Sequence, residues 1–137
     1  MVVRVYYEDT DAGGVVYHSN YLQFAERART EMLRSLGLQQ SRLLAEDGIA
    51  FVVRRCEADF LAPARLDDRL EVVTRMKALR GASLDLEQTM HRDDLELVRL
   101  QVRIACIAVD GRPTRLPPQV RTALADFAET FRIEHGS

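Results

Sequence analysis

The sequence contains no long apolar run, and its charges are nearly balanced. No apolar stretch approaches the roughly 20 residues that a membrane-spanning helix needs, so we expect no membrane insertion. Charges occur within the first nine positions, MVVRVYYED, before a secretory signal could form, and we expect a cytoplasmic protein. The net charge of −2 and the lack of a basic patch with interleaved aromatics argue against nucleic acid as a partner. Repeats and linkers are absent, which suits one domain over residues 1–137.

Cysteine and histidine are also scarce, which bears on redox and metal chemistry. The two cysteines, Cys56 and Cys106, lie far apart in strand-like runs and lack the spacing of a metal knuckle or a CxxC pair. We expect both to be buried thiols in a reducing compartment. The three histidines, His18, His91 and His135, share no ligand spacing, so no metal site is predicted.

One long amphipathic helix is predicted near the N-terminus. After a loop over residues 9–19, apolar residues recur every three or four positions up to Leu36. Ser19 or Asn20 is a suitable N-cap, and Gly37 ends the helix as a glycine does just past a last turn. We expect most of this apolar stripe to lie in the core.

The other elements follow a pattern that is typical of a sheet. β-branched content and period-two alternation predict strands, and the break at Pro117-Pro118 precedes a last helix. The predicted strands cover residues 2–8, 49–60, 69–78, 83–90 and 96–109, and the further helices cover residues 40–46 and 119–132. This order predicts an α+β fold in which an antiparallel meander packs against the long helix. Long exposed edges favour association, so we expect a homodimer that pairs edge strands.

The segment between the first strand and the long helix carries the candidate chemistry. It holds two carboxylates, Asp9 and Asp11, then Gly13-Gly14, and then His18. A helix N-terminus supplies unpaired N–H groups for a developing oxyanion, and a nearby carboxylate supplies a base or a nucleophile. On composition alone, Asx-turns are the commoner explanation of such carboxylates, and a turn with positive φ also explains the glycines.

The stretch YYEDTDAGGVVYHSNYLQFAERART resembles the signature of the 4-hydroxybenzoyl-CoA thioesterase family, and most of all its Tol-Pal-associated acyl-CoA thioesterases. The blocks FVVRRCEADFLAPARLDD at 51–68 and RGASL at 80–84 agree in order, so the resemblance covers about residues 3–110. It implies a hotdog fold, in which a sheet wraps a central helix, and dimers that assemble into a homotetramer. It also implies hydrolysis of acyl-CoA thioesters to a carboxylic acid and free CoA, with no metal or organic cofactor.

The resemblance also implies roles for individual residues. It places the catalytic carboxylate on Asp11, which either attacks the thioester to form a mixed anhydride or deprotonates a water. It places the helix N-terminus that polarises the carbonyl near His18. The His18 ring itself either donates a proton to the leaving thiolate or orients Asp11, or else only the backbone N–H of His18 takes part. Asp9 is expected to be structural. The predicted substrate-binding residues are Tyr7, Gly14, Val15, Tyr17, Ser19, Arg80 and Ser83.

Several of these residues keep a second interpretation. Aromatic packing explains Tyr7 better than lining the site does. N-capping explains Ser19 better than a nucleophile does, since no adjacent base or G-x-S-x-G elbow is present. The turn at Arg80 resembles the family's nucleotide-contacting turn. Arg54 and Arg55 are further candidates for the CoA phosphates, although surface arginines on strands are more often solvated charges.

Two other functions remain open. The first is a non-catalytic hotdog module that binds acyl carrier protein or a membrane-associated complex. The second is a hotdog hydratase, which would add water to the acyl chain and leave the thioester whole. The D-x-D-x-G-G-x-x-x-H block resembles the hydrolase signature rather than a hydratase one. The acyl specificity, and the choice between CoA and acyl carrier protein as carrier, are not encoded in a recognisable pattern.

Overall fold

The computed structural model describes residues 1–135, with the side chains of residues 132–135 outside the description. The order of elements agrees with the prediction of a strand, a long helix, a short helix, four strands and a last helix. The strands are β1 (Val2–Arg4), β2 (Ile49–Phe60), β3 (Arg69–Leu79), β4 (Ser83–Arg92) and β5 (Leu95–Ala108). The helices are α1 (His18–Ser35), α2 (Gln40–Arg42), which continues as a π-helical turn over Leu43–Asp47, and α3 (Pro118–His135).

The five strands form one antiparallel sheet in the order β1-β3-β4-β5-β2. The predicted meander is correct for β3, β4 and β5 only. β2 pairs along its whole length with β5, from Ile49 opposite Ala108 to Phe60 opposite Val98, and therefore forms an outer edge of the sheet. At the other outer edge, β1 pairs with residues 69–71 of β3, and α3 packs against β3.

Helix α1 lies against the sheet because its apolar stripe is buried, as its periodicity predicts. Gly37 follows its last turn with a φ of 78°, a left-handed conformation that glycine adopts without strain. A curled antiparallel sheet against a long helix is the hotdog arrangement that the resemblance implies. The buried residues of the stripe are Tyr21, Phe24, Ala25, Ala28, Met32 and Leu33.

Two local predictions near the N-terminus are wrong, the length of the first strand and the N-cap of the long helix. The first strand ends at Arg4, and Tyr7–Asp9 form a 3-10 turn instead of its continuation. Helix α1 begins at His18, with Tyr17 as its N-cap and no side-chain capping bond, so Ser19 is not an N-cap. The Asn20 amide instead donates to the backbone oxygen of Asp9 at 2.9 Å.

The two cysteines differ in burial. Cys106 is buried on β5 as predicted, but Cys56 is exposed, so the prediction for that thiol is wrong. Cys56 lies opposite the buried Val102 and faces the same side of the sheet, but β2 is an edge strand that α1 does not cover. All residues from 52 to 60 are exposed in the single chain.

A buried polar network joins the sheet to α1, and the sequence analysis did not anticipate it. Gln88 on β4 is fully buried, and its Nε2 donates to the backbone oxygen of Ala25 at 3.0 Å and to Thr74 Oγ1 at 3.1 Å. Its Oε1 accepts from Arg29 Nη1 at 2.9 Å. Every polar atom of the Gln88 amide therefore has a partner, which is what a buried amide requires.

Candidate active site

Asp11 is half-buried in a loop that its own carboxylate organises. Asp11 Oδ1 accepts hydrogen bonds from the backbone N–H groups of Gly13, at 2.8 Å, and Val15, at 3.3 Å. The Asp11 N–H donates in turn to the Val15 oxygen at 2.8 Å. Oδ1 thus fixes the position of the carboxylate, and Oδ2 has no hydrogen-bond donor among the described residues.

The two glycines of this loop act differently. Gly14 has a φ of 79°, which a residue with a side chain adopts only at a cost. Gly13 has no positive φ, but a Cβ added there would lie 3.2 Å from Asp11 Oδ1. The first glycine therefore permits a close approach to the carboxylate, and the second permits the turn.

The N-terminus of α1 is bonded to the same loop. Asp9 supplies the backbone oxygen that accepts from both the Tyr17 N–H, at 3.1 Å, and the Asn20 amide. The Asp9 carboxylate caps the 3-10 turn by accepting from the Tyr6 N–H at 2.9 Å, consistent with a structural role. Among the described residues, the backbone N–H groups of His18 and Ser19 find no acceptor. The helix start thus presents two free donors in the partly positive environment of a helix N-terminus.

The His18 ring stacks on Phe60, with ring centroids 4.0 Å apart and an interplanar angle of 6°. Tyr21 lies beneath this pair, 5.7 Å from Phe60. The Tyr21 hydroxyl accepts from the Ala64 N–H at 2.8 Å, and burial raises the pKa of this phenol. This aromatic group joins the start of α1 to the end of β2 and holds the His18 ring beside the loop.

The predicted aromatic residues lie at the surface beside this loop. The Tyr7 side chain is 82% exposed, so the packing alternative for this residue is wrong in the single chain. Tyr17 is 50% exposed and immediately precedes α1. Gly14 and Val15 form the half-buried centre of the loop, and Ser19 is exposed in the first turn of the helix. The structure thus brings together Tyr7, Asp11, Gly14, Val15, Tyr17, His18 and Ser19.

Arg80 and Ser83 do not join this group within one chain. The Asp11 loop lies against the residues just before β3, where Val15 pairs with Arg65, whereas Arg80 follows the other end of β3. Eleven strand residues separate the two ends by about 30 Å. Arg80 also forms a salt bridge with Asp85 at 2.8 Å.

Sequence reasoning missed cations at both ends of β3. Arg65, beside Val15, has no carboxylate partner among the described residues and lies next to the Asp11 loop. At the other end, Arg121 donates to the backbone oxygen of Arg80 at 2.7 Å, and Arg115 lies beside Gly81. Arg65 falls inside the LAPARLDD block, which was the available signal, whereas only the tertiary structure brings Arg115 and Arg121 to the turn.

The described part of the chain contains neither a cluster of metal ligands nor a membrane-spanning helix. No three His, Cys, Asp or Glu side chains there come together as metal ligands, and the His135 side chain lies outside the description. No helix in residues 1–135 carries an apolar stretch long enough to cross a bilayer.

Comparisons with known proteins identify the family and the fold of this chain. A sequence model of the Thioesterase-like superfamily matches residues 5–124. The chain is 48% identical to the acyl-CoA thioesterase YbgC of Haemophilus influenzae over 122 residues, which cover 88% of this chain and 90% of that protein. The chain belongs to the Thioesterase-like superfamily.

Solved thioesterase structures share its fold. A probable thioesterase from Bartonella henselae superimposes with a TM-score of 0.82 at 42% identity, covering 85% of this chain and 97% of that one. A 4-hydroxybenzoyl-CoA thioesterase mutant in complex with 4-hydroxybenzoyl-CoA superimposes with a TM-score of 0.85 over 90% of this chain and 95% of that one. At 22% identity the second match shows a common fold alone. The resemblance and the hotdog fold expected from the sequence are therefore confirmed.

Proposed function

We propose that this chain hydrolyses acyl-CoA thioesters to a carboxylic acid and free CoA. The observation that carries the proposal is the half-anchored carboxylate of Asp11, with Oδ2 open, in a loop bonded to a helix start that has two free N–H groups. Membership of the Thioesterase-like superfamily, and relatives named acyl-CoA thioesterase, support this reaction over hydration of the acyl chain.

The free N–H groups of His18 and Ser19 are suited to donate hydrogen bonds to the thioester oxygen as negative charge develops on it. Asp11 Oδ2 then acts in one of two ways. As a nucleophile it attacks the carbonyl carbon, expels the CoA thiolate and leaves a mixed anhydride that water hydrolyses. As a base it takes a proton from water, and the hydroxide attacks and expels the thiolate. In both routes a proton must reach the leaving sulfur.

The His18 ring is one candidate source of that proton. Stacking on Phe60 fixes the plane of the ring, which favours a defined direction for its nitrogens. The alternative is that only the backbone N–H of His18 contributes. His18→Ala keeps the N–H and removes the ring, so a loss of rate in this variant supports the proton donor and an unchanged rate supports the backbone role.

A homodimer would bring a nucleotide-binding turn to this site. If two copies pair their β2 edges antiparallel, a twofold axis perpendicular to the sheet reverses the strand direction in the partner. The turn after the partner's β3, with the partner's Arg80 and Ser83, then lies at the same end as Asp11. Cations at that turn suit the CoA phosphates. Two such dimers would form the expected homotetramer, in the cytoplasm, and acyl carrier protein is an alternative carrier of the acyl group.

A thiol-release assay with short acyl-CoAs tests the reaction. Asp11→Asn and Asp11→Ala should each lose at least about a hundredfold in kcat, because either route needs the carboxylate. Asp9→Asn is the matched control, since an asparagine oxygen still accepts from the Tyr6 N–H, and it should retain its rate. Full activity in Asp11→Ala would refute the assignment. Binding of acyl carrier protein without turnover in the unsubstituted protein would instead support the non-catalytic module.

A further inference from the structure

One long surface of the single chain lies open between α1 and β2, and we call it the open edge. Its strand side consists of the exposed residues 52–60, where Val52, Val53 and Phe60 are 39%, 49% and 40% exposed. Its helix side includes Leu22, which is 44% exposed. A groove of about 250 Å³ runs between the two sides. An unpaired strand edge beside apolar side chains favours association with another strand.

Two opposite charges lie on the helix side of the groove. Glu26 and Arg29 are three positions apart, so they share one face of α1, and both line the groove together with Phe51, Val52 and Val53. Arg29 is half-buried, and burial lowers the pKa of its guanidinium. Its one described hydrogen bond goes to the neutral Gln88, and no described carboxylate lies within 4 Å. The Glu26 charge on the same helix face raises this pKa, but burial outweighs it, so a carboxylate in direct contact from outside the chain would stabilise the cation further.

The position of these charges matches the centre of the open edge. The midpoint of β2 falls between Arg54 and Arg55, at the bulge in its pairing with β5. Arg29 lies close enough to Cys56 to lower the pKa of its thiol, against the larger raising effect of burial. A twofold axis that pairs β2 with its copy over its full length therefore passes beside the turn of α1 that carries Glu26 and Arg29.

We propose that Glu26 and Arg29 form a reciprocal pair of salt bridges across this axis, with the occupant of the open edge being a second copy of this chain. Antiparallel α1 helices place Glu26 opposite the partner's Arg29 and Arg29 opposite the partner's Glu26. A twofold interface must be complementary to itself, and a surface that carries both charges three residues apart meets that condition. The second copy also covers the groove, which excludes water and strengthens both pairs.

The pairing refines the homodimer of the proposed function, and its test measures association rather than thioester hydrolysis. In a homodimer of Glu26→Arg, the new arginine faces the partner's Arg29 at both contacts. In a homodimer of Arg29→Glu, the new glutamate faces the partner's Glu26 at both contacts. Each variant alone should raise the dimer dissociation constant by at least about tenfold, because like charges placed opposite each other at a covered interface repel strongly. Sedimentation velocity over a concentration series measures the constant, and circular dichroism checks that each variant is folded.

Mixing the two variants gives the decisive measurement. At positions 26 and 29, one chain then carries two arginines and the other carries two glutamates. A heterodimer therefore restores both salt bridges, while each homodimer keeps its repulsion. The mixture should dimerise close to the unsubstituted affinity, as should the double variant E26R/R29E on its own. The control is Glu31→Arg, because Glu31 is exposed on another face of α1, paired with Arg34 at 3.0 Å, and should not affect the dissociation constant.

If Arg29→Glu fails to fold because Gln88 loses its donor, Arg29→Gln replaces it. A glutamine can still donate to Gln88, and E26R/R29Q removes the repulsion in Glu26→Arg, so the double variant should dimerise more tightly than Glu26→Arg. A monomeric unsubstituted chain, unchanged dissociation constants in both single variants, or a mixture that does not form the heterodimer would each overturn the proposal. Intact dimers with an altered preference among acyl-CoAs would also overturn it, since the two residues would then contact the acyl group.

Discussion

The contact between Gly13 and the Asp11 carboxylate allows a sharp test of how the site is built. Asp11 Oδ1 lies 2.8 Å from the Gly13 nitrogen and 3.3 Å from the Val15 nitrogen. A Cβ at position 13 would be 3.2 Å from the same oxygen, a separation tighter than most real Cβ contacts. In Gly13→Ala the carboxylate must therefore move by a few tenths of an ångström. The bond from Val15, which is already long, is the one that this movement weakens.

The expected loss is catalytic rather than structural. A misplacement of about 1 Å can cost about a hundredfold in rate, so a shift of a few tenths of an ångström should lower kcat by roughly three- to tenfold. The free energy of unfolding should change by less than about 0.5 kcal/mol, because alanine suits the backbone conformation at position 13. Gly14→Ala is the matched control. Its φ of 79° imposes about 1–2 kcal/mol of strain, although no atom lies within 4 Å of the added Cβ.

Steady-state thiol release and urea denaturation of the two variants separate these effects. Gly13→Ala should lose rate at nearly unchanged stability, and Gly14→Ala should lose stability, with any rate loss following from the altered turn. The Michaelis constant of Gly13→Ala should change little, because the carboxylate acts on the carbonyl and not on the CoA nucleotide. If Gly13→Ala keeps its full kcat, the tight contact is irrelevant to catalysis and the reasoning is refuted.

Two further predictions concern the polar groups outside the site. Gln88→Ala removes the acceptor of the Arg29 guanidinium and the donor to Ala25 and Thr74, and it leaves a cavity, so the free energy of unfolding should fall by about 2–4 kcal/mol in urea denaturation. Gln101→Ala, on the outer face of the sheet, should cost far less, and equal losses would contradict the role of the network. Hydrogen bonds from two arginines hold the pKa of Asp85 well below its usual range. A lowered pKa stabilises the fold above the unfolded value of about 4, and this stabilisation is lost as the pH falls below it. The stability difference between the unsubstituted protein and Asp85→Asn should therefore be constant above about pH 5 and shrink steadily below pH 4. A difference that stays constant from pH 5 down to pH 2 would contradict the ion pair.

Local patterns predicted the elements well, because burial on one face imposes a period on the sequence. The period of two over residues 69–78 and 83–90 predicted β3 and β4 to within two residues of their observed ends, and Gly37 marked the end of α1. The first strand was predicted too long, because Tyr6 and Tyr7 favour extended structure and no local signal reported that Asp9 would cap a turn there. Asp11 was predicted as the catalytic residue from a sequence motif. That its Oδ2 has no hydrogen-bond donor could be seen only in the folded loop.

Burial of single residues was less predictable, since it depends on what covers a strand. Cys56 and Cys106 lie in equally strand-like runs, yet β5 is central in the sheet and β2 is at its edge. Gln88 appears to break an apolar alternation on β4, but the helix carbonyl and the arginine that satisfy it come from α1. Both outcomes follow from contacts between residues far apart in the chain.

The sequence by itself determined the kinds and order of the elements and the family, and it singled out the loop that carries the proposed catalytic carboxylate, because these depend on periodicity and on a contiguous motif. Only the tertiary structure decided the order of strands in the sheet, which leaves β2 unpaired on one side and separates Arg80 from Asp11 along β3. The physical reason is that strand pairing joins residues about 50 positions apart, and the energy of such contacts appears only when the whole sheet closes around α1.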